Sequence, residues 1–179
     1  WIIGPPLKAS LAKIIGVDAD DELAEQALLG YRERFSVVGL FENELYPNVV
    51  DTLAALQQHG FNLYLATAKP TVYAVRILQH FKLDQYFKKI YGSELTGERT
   101  NKAELIQYIL QQELLDAKTC LMVGDREYDI LGARANHIHA IAVQYGYGTK
   151  TELDAAQPLL QINNFGELKK YLIENPNIF

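Results

Sequence analysis

Residues Lys118 to Asn136 read KTCLMVGDREYDILGARAN, and the assignment of this stretch decides the fold. Thr119 to Val123 is a short apolar run of the kind that forms a strand buried on both faces of a parallel sheet. Gly124 breaks the run and Asp125 stands where the strand ends. Asp129 follows inside an Ala/Leu/Ile pattern that reads as helix. Two carboxylates spaced like this across a strand-to-helix turn can converge above the carboxyl edge of a sheet, where open α/β folds bind ligands. A hard cation such as Mg²⁺ suits the pair, because it takes oxygen ligands and keeps part of its water shell. A plainer alternative stands beside it: Asp125 caps the helix and Asp129 complements the helix dipole.

Working outward, the 179 residues fit one mid-sized domain or a domain with a small appendage. Hydrophobic residues make up 49% of the chain and charged ones 22%, enough for a substantial core. The net charge of −5 leaves no basic footprint and argues against a nucleic-acid partner. No apolar run approaches the ~20 residues of a membrane helix, so no membrane partner is expected. The single Cys120 falls in the proposed strand and reads as a core residue; without a disulfide framework, a reducing cytoplasmic compartment is the expectation.

Residues 5 to about 45 carry helical signals and no strand. Pro5 and Pro6 suit a helix start, and Leu7, Leu11, Ile14 and Ile15 form a stripe ended by Gly16. A second helix follows the acidic cluster Asp18, Asp20, Asp21 and Glu22, with Leu23, Ala27, Leu28, Tyr31 and Phe35 on its apolar face.

After Tyr46-Pro47-Asn48, strands and helices alternate, which implies a parallel sheet covered by helices. Asn48 reads as the cap of a helix ending at Gly60. Phe61–Thr67 reads as a strand, Pro70 as the first residue of the next helix, and Lys88–Tyr91 as a short strand. Asn101 and Glu104 cap another helix. Ile138–Val143 is a further strand, Tyr145–Gly148 a flexible turn and Leu159–Ile162 a short edge strand. Asn164 with Glu167 caps the closing helix.

Three features then fall at strand ends or helix starts: Thr67 with Lys69, Lys102, and the Asp125/Asp129 pair. Lys102 is informative because a cation in the first turn of a helix faces the positive end of the dipole, and a nearby anion reverses the cost. A hydroxyl, one or two lysines and a carboxylate pair at one sheet edge make a site for a phosphoryl group with Mg²⁺. Taken singly, Thr67 is an ordinary strand residue and the lysines ordinary surface charges; their common location carries the joint assignment.

LAT67AKP, TNK102AELI and MVGD125REYD129 resemble, in order and spacing, the second, third and fourth motifs of the haloacid-dehalogenase superfamily. Ile3-Gly-Pro-Pro-Leu7, Leu45-Tyr-Pro-Asn, Gly-Ala-Arg-Ala-Asn136 and Tyr145-Gly-Tyr-Gly are similar to its phosphoglycolate-phosphatase-like branch. The resemblance implies a Rossmann-like, doubly wound α/β core over residues 46–179, with residues 1–45 as the later part of a helical cap. It also implies that Thr67 bonds the phosphoryl group, with Ala68 and Lys69 beside it. Lys102 would neutralise the nucleophile and the phosphate, and Asp125 with Asp129 would hold Mg²⁺.

The implied activity is a Mg²⁺-dependent phosphomonoesterase of small phosphorylated metabolites, working through an aspartyl-phosphate. The family's attacking Asp and the central strand bearing it, between those of Thr67 and Val123, are not found in these residues. The chain by itself is therefore expected to be inactive. Ala68 replaces a small polar residue and His137 a frequent Gly. A phosphomutase, or a non-catalytic relative that binds a phosphorylated ligand, is the alternative. No Gly-rich fingerprint follows any proposed strand, which disfavours a dinucleotide site.

Overall fold

The computed structural model describes residues 7–174. Pro5, Pro6 and most of the Ile3–Leu7 motif lie outside them. Two helices come first, α1 (Leu7–Ile15) and α2 (Glu22–Val37). Asp21 caps α2 by accepting from the Leu23 amide at 2.8 Å, so the acidic cluster does start that helix. The alternating region then runs α3 (Val49–Gln58), β1 (Tyr64–Pro70), α4 (Thr71–His80), β2 (Lys89–Ser93), α5 (Lys102–Glu113), β3 (Leu121–Gly124), α6 (Glu127–Ala135), β4 (His139–Val143), α7 (Lys150–Ala156), β5 (Leu160–Ile162) and α8 (Phe165–Glu174).

Among the described residues the strands form two parallel ladders, β1–β2 and β3–β4–β5. The α/β class and the parallel pairing agree with the strand–helix alternation. β4 is central to its ladder, and its Ala140–Val143 are buried, whereas every residue of β1 and β3 is only half-buried. Each of the latter two strands has one paired neighbour, so each leaves one edge unpaired. Side chains nevertheless join the halves: Leu63, just before β1, packs in the same cluster as Leu121 and Val123 of β3, around buried Leu56, Ile141 and Leu168.

Several local expectations need correcting. The strand starts at Tyr64, three residues later than expected, although the Leu63 carbonyl already accepts from the Lys88 amide at 2.8 Å, and it runs on through Pro70. Pro70 has φ −53 and ψ 135, an extended residue flanking α4 instead of its first helical one. Asn48 sits at φ 65 and makes no side-chain cap bond, so α3 starts without the expected cap. Cys120 is half-buried in the turn before β3, its Sγ 3.3 Å from the Asp116 carbonyl, and burial pushes its thiol pKa up. The helix α7 was not anticipated. By contrast, Asn101 accepts from the Ala103 and Glu104 amides, and Asn164 and Glu167 bond reciprocally, as their spacing implied.

Candidate active site

β1 stops pairing regularly after Ala66: the ladder with β2 shifts register between Ala66 and Pro70. Thr67, Ala68 and Lys69 therefore leave the ladder at the carboxyl end of the strand. The Thr67 hydroxyl accepts from the Lys69 amide at 3.1 Å, tightening the bulge. The Ala68 carbonyl accepts from the Ser93 hydroxyl at 2.8 Å. Gly92 makes this possible, because a Cβ there would overlap the Lys69 carbonyl.

Lys102 opens α5. Nζ donates to the Ala66 carbonyl at 2.8 Å and pairs with Asp129 Oδ1 at 2.9 Å. Both side chains are about nine-tenths buried, at 12% and 10% exposure. The anion that offsets Lys102 is thus Asp129 of this chain. Gly132 lets α6 approach closely, since a Cβ there would stand 2.9 Å from Lys102 Cγ. Asn136 secures the same contact by donating to the carbonyls of Ala103 and Gly132.

Asp129 Oδ2 accepts from the amides of Asp125 (3.1 Å) and Arg126 (3.2 Å). Gly124 has no Cβ, which would overlap the Asp129 carboxylate. Asp125 Oδ2 accepts from the Tyr147 amide at 2.7 Å, and a Cβ on Gly146 would overlap its carboxylate. The Tyr145–Gly148 turn is therefore a cradle for Asp125, a role hidden from sequence. Beside it Tyr145 stacks edge-on against Tyr46, and burial, then Tyr46 and Asp125, raise its phenol to about 12.

Lys69 lies against α2. Its ammonium lies 4.5 Å from the centroid of the Phe35 ring of α2. Burial holds its pKa below the ordinary lysine value, and no carboxylate among the described residues is shown paired with it. Phe35 in turn stacks on Tyr31 at 5.1 Å and meets Tyr73 edge-on at 5.6 Å. Phe35 had appeared only as a helix core position; nothing in its spacing signals Lys69.

Lys102 thus joins the backbone beside Thr67 to Asp129, and Asp129 shares the α6 entry with Asp125. Lys69 and Ala68 occupy the same strand end. Among the described residues no cluster of three or more His, Cys, Asp or Glu gathers as a metal site. Two carboxylates with water and substrate oxygens are what Mg²⁺ characteristically uses, so the all-oxygen donor pair fits that ion.

The haloacid dehalogenase-like hydrolase family model matches residues 1–143. A 5'-nucleotidase of Pseudomonas aeruginosa is 45% identical over 170 residues, covering 95% of this chain and 76% of that protein. A phosphoglycolate phosphatase of Aliivibrio fischeri is 32% identical over 160 residues, covering 89% and 69%. The tyrosine-protein kinase PtkA of Mycobacterium tuberculosis shares 35% identity over 153 residues, but the chain spans only 51% of it. The crystal structure of a predicted phosphatase from Clostridium acetobutylicum superposes with a TM-score of 0.90 at 39% identity, covering 97% of this chain and 79% of that one.

Proposed function

The chain belongs to the haloacid dehalogenase-like hydrolase family, and from that premise we propose that it carries the phosphate- and metal-binding part of a Mg²⁺-dependent phosphomonoesterase for small phosphorylated metabolites. One observation carries the proposal: Lys102 Nζ spans the Ala66 carbonyl and Asp129 Oδ1, drawing the Thr67 end of β1 and the carboxylate turn after β3 to one place.

On this reading the Thr67 hydroxyl and the backbone of Ala68 receive the phosphoryl oxygens, and Lys69, at the same strand end, adds positive charge. Lys102 holds Asp129 in position and offsets negative charge gathering at the phosphorus. Asp125 and Asp129 hold the metal, which when bound neutralises charge on the transferring group. The attacking carboxylate comes from a segment outside residues 1–179, forming an aspartyl-phosphate that water then hydrolyses. Residues 1–179 alone are expected to release no phosphate. The 45% identity to a 5'-nucleotidase favours nucleoside monophosphates within the substrate class.

The test is phosphate release by the full-length gene product, with and without Mg²⁺, across nucleoside monophosphates, phosphoglycolate and sugar phosphates. Asp125→Asn should remove the metal-dependent rate while circular dichroism stays unchanged; Lys69→Met should raise KM more than it lowers kcat. A Mg²⁺-dependent rate surviving Asp125→Asn would refute the site.

A further inference from the structure

The structure shows a second tier of contacts behind Asp125 and Asp129, and it comes from α7. Arg126, the residue after Asp125, has its backbone amide on Asp129 Oδ2. Its side chain is 9% exposed and reaches Glu152 of α7. There Arg126 Nε donates to Glu152 Oε1 at 2.7 Å, and the Glu127 amide donates to the same oxygen at 2.9 Å. One carboxylate oxygen of α7 thus restrains both the side chain and the backbone at the entry to α6. The Glu127 amide is one of the donors that a helix start leaves without an intrahelical acceptor.

Glu152 has the position of a capping-box residue, three after Thr149, whose hydroxyl accepts from its amide at 3.1 Å. In the usual arrangement such a Glu reaches back to the cap residue's own amide. Here it reaches across to another helix. Burial opposes ionisation of Glu152, yet the bonds from Arg126 and from the Glu127 amide outweigh it and hold its pKa below the ordinary value. Arg126 Nη1 is buried with no hydrogen-bond partner among the described residues, and Glu152 supplies the guanidinium's ion pair. Glu152 also lies beyond residues 1–143, the part matched by the family model.

We propose that Glu152 is a positioning residue for the metal site: through Arg126 and the Glu127 amide it fixes the turn that sets the separation of Asp125 and Asp129. This rests on the reading of those two carboxylates as metal ligands. Groups behind the ligands that fix their orientation typically change metal affinity about 10- to 100-fold when removed. The Tyr147 amide and Gly146 constrain Asp125 from the preceding turn, so α7 and its loop hold both ends of the carboxylate pair.

The experiment is Mn²⁺ binding to the full-length protein, read by electron paramagnetic resonance of the free ion, with thermal unfolding in parallel. Glu152→Gln should weaken Mn²⁺ binding about 10-fold or more. Asp154→Asn, which removes the exposed Lys150 ion pair from the same helix, should leave binding as in wild type. If Glu152→Gln fails to fold, the Arg126→Met/Glu152→Met double variant removes both charges and keeps apolar volume in their place. Weak Mn²⁺ binding by that folded double variant supports the proposal. Wild-type affinity in either variant overturns it while leaving the metal site standing. Absence of Mn²⁺ binding by the wild-type protein overturns the underlying site assignment as well.

Discussion

Replacing Asp129 with Asn tests the central geometry without invoking catalysis. The substitution preserves shape and can keep one oxygen on the Asp125 and Arg126 amides, but it then turns an amide NH₂ toward the Lys102 ammonium. Lys102 would be left with the Ala66 carbonyl as its remaining described partner, on a side chain only 12% exposed. Breaking a buried pair by removing one member costs about 3–5 kcal/mol. Because the two backbone amides keep their acceptor, the lower end applies, about 3 kcal/mol. For a chain of this size that is a fall in Tm of roughly 6–12 °C.

The assay is urea and thermal unfolding of Asp129→Asn, Lys102→Met and the double variant. The double variant should lose less than the sum of the singles by about 1 kcal/mol or more, since neither charge is then stranded. A Tm within about 2 °C of wild type for Asp129→Asn, or single-variant losses that add to within about 0.5 kcal/mol, would refute the pairing.

Two further outcomes follow from the same region. Gly146→Ala places a methyl group against the Asp125 carboxylate and should cost about 1–3 kcal/mol while weakening Mn²⁺ binding; an unchanged Tm and affinity would show that the turn does not cradle Asp125. Tyr145, with a folded pKa of about 12 against about 10 unfolded, contributes stability that is present below pH ~10 and is lost as pH rises toward 12. Tyr145→Phe should therefore flatten the alkaline fall in stability over that interval, and a parallel pH profile would count against the assignment.

The parts of the site legible in the sequence were those carried by local spacing. Lys102 reads as a helix-start cation because Asn101 and Glu104 mark that start, and Asp125 and Asp129 read as a pair because strand meets helix between them. What the sequence concealed depends on partners far along the chain. Lys69 stands two residues past Thr67, and its contact with Phe35 has no local signal, because the stripe of that helix says only that Phe35 is apolar. Nothing near Glu152 in the sequence points to Arg126, 26 residues before it, where its carboxylate goes.

The fold errors have the same origin. Pro70 satisfies the rule for a first helical residue, but pairing with Ser93 keeps it extended. Asn48 has a capping side chain, but its backbone adopts the left-handed conformation and no side-chain cap bond forms. The Thr149/Glu152 spacing was the available signal for α7, and it was masked by the brevity of that helix, with only Leu153 and Ala156 buried.

The division of the strands into two ladders has a consequence for assembly. β1 and β3 each present one unpaired edge of backbone donors and acceptors. On the proposed reading the strand that bears the attacking carboxylate would pair there, and Lys102, reaching from the Ala66 carbonyl to Asp129, holds the two edges in register for it.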